Sequence, residues 1–162
     1  TGAAGSGQLS AFGDFYTIQY SPSVGANQLF PLQSINDALG LTLQNNRILV
    51  DIAGIYVVNY FYAPTNSDGV YAMTARLNGN LLQGTSVYSN SGGNKGTQPA
   101  SNQFIITLEV GDILDFINPG TNAVSILVSG IPGSPVSCGV TLFRIGDAVP
   151  NRVFRNSRIT TI

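Results

Sequence analysis

An antiparallel all-β fold, a two-sheet sandwich of the jelly-roll kind, is what this sequence predicts, and three observations predict it. Roughly eight to ten short apolar stretches recur at even spacing, divided by Gly, Asn, Asp and Pro turns. No stretch keeps the period of a long helix. The central stretch Gly54–Ala63 is packed with β-branched and aromatic residues. Alternation along it puts Ile55, Val57, Asn59 and Phe61 on one face and Tyr56, Val58, Tyr60 and Tyr62 on the other. Neither face is polar, whereas a half-solvated strand shows one polar face. Two covers are therefore expected: the second sheet, and a neighbouring subunit.

In chain order, residues 1–11 are small and polar and read as a linker, or as the end of a Gly-X-Y tract in which Gly2 and Gly5 keep the period and Gly7 breaks it. Phe12–Tyr20 reads as a first strand with Phe12, Tyr16, Ile18 and Tyr20 on one face, and Pro22 and Gly25 then turn the chain. Leu29–Leu43 reads as short edge strands, with one helical turn over Ser34–Gly40 as the competing form. Ile48–Ile52 leads into the central strand. Asn66–Gly69 is a turn, Val70–Leu77 a strand, Asn78-Gly79 a hairpin turn and Leu81–Tyr88 its returning partner. Ser89–Gln98 is a loop, Phe104–Val110 a strand, Gly111-Asp112 a tight turn and Ile113–Ile117 a strand. Asn118–Gly120 turns again, Ala123–Val128 is a strand, Gly130–Pro135 a loop and Gly139–Ile145 the last strand. The jelly roll thus occupies 12–146, and 147–162 form a C-terminal arm.

Length and composition narrow the functional classes. At 162 residues one domain buries a sufficient core without disulfide or metal support. Only 9% of residues are charged, far below the usual quarter, and the net charge of −1 gives no general attraction to nucleic acid or anionic membrane. No apolar run approaches a membrane span. Cys138, the one cysteine, excludes an intrachain disulfide and reads as a buried small hydrophobe. The chain begins at Thr1 with no signal peptide, as a piece of a longer protein would.

Catalytic chemistry finds little support. There is no His for a Ser-His or Cys-His pair, no nucleophile elbow and no nucleotide-binding glycine motif. Asp112 reads as a turn residue, and a distant carboxylate pair such as Asp51 and Asp115 is the remaining acid–base arrangement. The acidic residues lack the spacing of a calcium loop, so we expect no metal and no cofactor. The aromatic face Tyr56, Val58, Tyr60 and Tyr62 suits a trimer seam, with Phe104 and Phe116 as further members; the competing reading is the interior of a single sandwich. Asn66, Asp68, Tyr71, Tyr88 and Asn94 are candidates for sugar-binding loops. Arg152, Arg155 and Arg158 lie three apart in the arm, which lies either on the domain or a neighbour, or serves as a handle for carboxylate, sulfate or an acidic partner.

The strand order carries a resemblance. Asp51–Tyr60 (DIAGIYVVNY), Arg76–Gly79 (RLNG), Leu108–Leu114 (LEVGDIL) and Gly139–Ile145 (GVTLFRI) resemble the C1q/TNF-like jelly roll across residues 12–146. The Gly-rich, nearly uncharged form is most similar to the C-terminal domains of bacterial collagen-like exosporium glycoproteins of the BclA type. The resemblance implies a ten-strand jelly roll packed as a homotrimer that nucleates a collagen stalk and presents an adhesive surface at the outside of a cell or spore. It implies a non-enzymatic structural role, with a glycan or host receptor as the partner to be expected. A lectin and a viral or phage capsid or fibre domain are the alternatives. The arm from Asp147 onward departs from the family pattern.

Overall fold

Thirteen antiparallel strands form among the described residues of the computed structural model, which are 11–18, 21–64, 70–90, 99–126 and 136–148. In chain order they are β1 Phe12–Thr17, β2 Ser21–Val24, β3 Ser34–Leu39, β4 Leu41–Gln44, β5 Arg47–Val50, β6 Gly54–Tyr62, β7 Val70–Leu77, β8 Asn80–Leu81, β9 Val87–Asn90, β10 Ala100–Leu108, β11 Ile113–Ile117, β12 Val124–Ile126 and β13 Cys138–Gly146. One sheet has the order β10-β6-β13-β1-β3. The other has the order β4-β5-β11-β7-β8, with β9 also paired to β7. β12 and β2 make a separate two-stranded pair. The long excursions in strand order, such as β13 lying between β6 and β1, are those of a jelly-roll sandwich.

The core follows from alternation. Tyr56, Val58, Tyr60 and Tyr62 of β6 are buried with Phe15, Val140 and Leu142 from their own sheet. Ile48, Val50, Met73, Ala75, Leu114 and Phe116 meet them from the opposite sheet. Cys138 joins this cluster as a buried free thiol, and burial pushes its pKa up. The start of β6 needs glycine: a Cβ on Gly54 would lie 2.3 Å from Arg144 Nε and 2.7 Å from the Gly146 carbonyl oxygen.

Turn chemistry sets the hairpins. Asn78 and Gly79 have φ of 51° and 82°, and both positive values match the twist of a two-residue hairpin between β7 and β8. Asn45 and Asn46, at 51° and 62°, build the same kind of turn between β4 and β5 with no glycine at all. The Ser34–Gly40 segment takes the edge-strand form, and Gly40 at φ 69° lets β3 run into β4.

The returning partner of β7 is not one strand. β8 pairs Leu81 with Arg76, whereas β9 resumes at Met73 opposite Val87. The chain between them leaves the sheet and is tied back by Thr85, whose Oγ1 donates to the Leu82 carbonyl (2.7 Å) and accepts from the Ala75 amide (3.2 Å).

Candidate functional site

The six residues expected at a trimer seam are brought together, but inside one chain. Tyr60 is the hub, with the Phe116 ring 4.9 Å and the Phe104 ring 5.9 Å from its own. Phe116 is fully buried, and Phe104 is half-buried against the core. Sequence parity assigned the two faces of β6 correctly, but the tyrosine face looks inward. The phenols find acceptors there: Tyr56 OH donates to the Ile52 carbonyl (2.6 Å), Tyr62 OH to that of Tyr71 (2.6 Å) and Tyr60 OH to that of Thr85. Tyr62 also accepts from the Ser89 amide at 3.1 Å. A buried hydroxyl is tolerated when it is bonded in this way.

Burial raises the pKa of all three phenols, and Tyr62 is pushed up to about 12. The folded chain thus favours the neutral phenol more than the unfolded chain does. That contribution is complete below the unfolded value near pH 10 and is lost as pH rises toward about 12. We therefore expect the urea midpoint to fall between roughly pH 10 and 12, less steeply in Tyr62→Phe. A midpoint that stays level across that window would contradict the buried placement.

The open face of β6 belongs to a wider surface. Register aligns Leu39, Phe12, Phe143, Val57 and Ile105 as direct neighbours across β3, β1, β13, β6 and β10. They form one apolar row crossing all five strands. Leu39 and Ile105 are 51% and 63% exposed, and Val57 is buried yet stands outside the core cluster. Beside it runs a polar row of Asp37, Asp14, Thr141, Asn59 and Gln103. Asp14 accepts from Asn36 Nδ2 (2.7 Å) and from Thr141 Oγ1 (3.0 Å). Next comes Tyr16, Gly139, Phe61 and Ser101, where the Phe61 ring covers Gly139 so closely that a Cβ there would sit 2.7 Å from it. A shallow groove of about 340 Å³, floored by Asn59, Phe61, Gln103, Gly139 and Thr141, runs along these rows. The expected common face of Phe12 and Tyr16 is thus this outward one, and Phe15 is the core residue of β1.

The other candidates are scattered. Tyr88 is 71% exposed on β9, whereas Tyr71 is buried with its carbonyl held by Tyr62, so its ring is withheld from a sugar. Asn66, Asp68, Asn94, Arg152, Arg155 and Arg158 lie outside the described residues, as do most of the N-terminal linker and of the C-terminal arm.

The three carboxylates weighed for turn or acid–base roles, Asp51, Asp112 and Asp115, are committed to structure. Asp112 closes its turn by accepting from the Glu109 amide and from Asn78 Nδ2, both at 2.8 Å. Asp51 accepts from Thr42 Oγ1 at 2.7 Å. Asp115 is buried and takes a two-pronged pair from Arg76, Nε at 2.7 Å and Nη2 at 2.9 Å, with Arg47 Nε 3.3 Å away. Sequence reading missed this cluster, although Arg76 alternates with core residues on a strand it had recognised and Arg47 directly precedes another. Among the described residues no group of three or more His, Cys, Asp and Glu side chains stands together to hold a metal, and no helix is long and apolar enough to cross a membrane.

No protein-family model matches the chain, and no curated protein matches it by sequence. Solved structures do match. Eiger TNF from S. frugiperda superposes with a TM-score of 0.72 at 13% identity, over 90% of this chain and 99% of that one. Murine APRIL at pH 5.0 gives 0.61 at 14% identity, over 83% and 98%. The globular domain of the zebrafish complement 1qA protein gives 0.56 at 10% identity, over 82% and 94%. The fold is the antiparallel two-sheet jelly roll of C1q and TNF domains.

Proposed function

We propose that this chain, a C1q/TNF-like jelly roll by fold, is a non-enzymatic head domain that assembles with copies of itself into a homotrimer. Its role is structural and adhesive, at an extracellular or spore surface, as in collagen-like exosporium proteins. The observation that carries the assembly reading is the apolar row Leu39, Phe12, Phe143, Val57 and Ile105 on the open face of the five-stranded sheet. Every strand of that sheet contributes one member, and the inner face of the sheet is already filled by the core. A contiguous apolar surface bordered by polar side chains is the anatomy of an interface. The sparse charge supports the same reading, because few ions need be stripped of water when copies meet. The exosporium setting rests on the sequence resemblance and on the Gly-rich, nearly uncharged composition.

Light scattering of the dilute protein tests the assembly. The expected mass is about three times 17.0 kDa, stable on dilution. A mass of one chain would end the trimer reading, and large particles would favour the capsid or fibre alternative.

A further inference from the structure

We propose that Arg47 anchors a binding site for a carboxylate- or sulfate-bearing sugar on the open face of the six-stranded sheet. Asp115 is fully engaged by Arg76, which offers it two parallel donors at 2.7 and 2.9 Å. Arg47 adds a second guanidinium to the same carboxylate through one longer contact of 3.3 Å. Among the described residues that ion pair is the only polar contact of the Arg47 side chain, which is 48% exposed. Two cations on one anion leave a net positive charge, in a chain where only 9% of residues are charged.

The surroundings match a ligand larger than a bare ion. Arg47 lines a groove of about 90 Å³ together with Gln44, Asn45, Leu49 and Ile113. The planar guanidinium suits a carboxylate or sulfate, the two amides suit hydroxyl groups, and the aliphatic pair suits the C–H face of a sugar ring. The rim is preformed. Asn45 and Asn46 are fixed at positive φ in a two-residue turn, and the Asn46 side-chain oxygen accepts from the Leu32 amide at 3.2 Å. This sheet is not the one proposed for assembly, so the site stays open in a trimer and its success or failure is independent of that reading.

The test is amide NMR of the full chain, titrated with glucuronic acid, glucose 6-sulfate, glucose and inorganic sulfate. Expected are saturable shifts at Asn45, Arg47 and Ile113 with the acidic sugars at up to about 50 mM, where millimolar affinity is visible. Neutral glucose should leave them unmoved. Arg47→Ala should weaken acidic-sugar binding roughly ten- to a hundred-fold, with Arg47→Lys intermediate because it keeps the charge but loses the fork. The bidentate Arg76 pair keeps Asp115 satisfied in both variants, and unchanged amide shifts elsewhere would verify their fold. No shifts with either acidic sugar, equal binding by Arg47→Ala, or inorganic sulfate binding as tightly as the sugars would each overturn the proposal.

Discussion

Asp115→Ala is expected to destabilise the folded chain by about 3–5 kcal/mol, seen as a fall of roughly 2 M in the urea midpoint at constant chain concentration. The carboxylate is buried, and removing it strands two guanidinium groups that face it from β5 and β7. The larger share of the loss belongs to Arg76, whose side chain is only 20% exposed and cannot easily turn to water. Arg47 is half exposed and rehydrates, so Arg47→Ala alone should cost less than about 1 kcal/mol. The loss reflects an abandoned buried charge rather than the net strength of the pair. The double variant Arg76→Met with Asp115→Leu should therefore recover most of the stability. High salt should change the wild-type midpoint little, because buried pairs are poorly screened. A loss below about 1 kcal/mol in Asp115→Ala would show that the cluster is wetter than its geometry implies.

The strands were legible where physics is local. Alternation marked β6, β7, β11 and β13 to within a few residues, and Asn78-Gly79 announced its hairpin because both residues tolerate positive φ. Three features were hidden, for different reasons. β2 was obscured by Pro22 and Gly25, which read as punctuation, yet its strand exists through pairing with β12 about a hundred residues later. The break between β8 and β9 is set by how Thr85 fastens to the Leu82 carbonyl and the Ala75 amide. The Asn45-Asn46 turn lacks a glycine, and asparagine's tolerance of the left-handed region is a weaker sequence cue.

The site shows the same division. Parity divided β6 into its two faces from sequence alone, and the second sheet covers one of them, the tyrosine face. Which face turns inward is decided by neighbouring strands. Val140 and Leu142 of β13, and Phe104 and Ile106 of β10, share the tyrosine side, so that side closes the sandwich. The phenolic hydroxyls do not oppose that placement, because backbone carbonyls of Ile52, Tyr71 and Thr85 accept from them inside the chain. The apolar row could not be read beforehand, because it joins five residues whose only relation is register.

Ile105→Asp is the sharpest test of that row, and its expected result is a fall in solution mass from about three chains to one with the fold intact. Ile105 is 63% exposed on β10, so the isolated chain gains or loses little by the change. In the assembly each copy would forfeit about 1.5–3 kcal/mol of apolar burial and would also have to desolvate a carboxylate. The loss recurs in all three copies, so a trimer of ordinary affinity should not survive at micromolar concentration. Leu81→Asp is the matched control. Leu81 is 59% exposed on β8, at the edge of the opposite sheet, and its replacement should leave the mass unchanged. If Ile105→Asp keeps the mass of three chains, the seam lies elsewhere and the row is only a tolerated apolar surface. If both variants dissociate, the contact extends around the sandwich to the sheet that carries Arg47. The head would then be held by more than its five-stranded face.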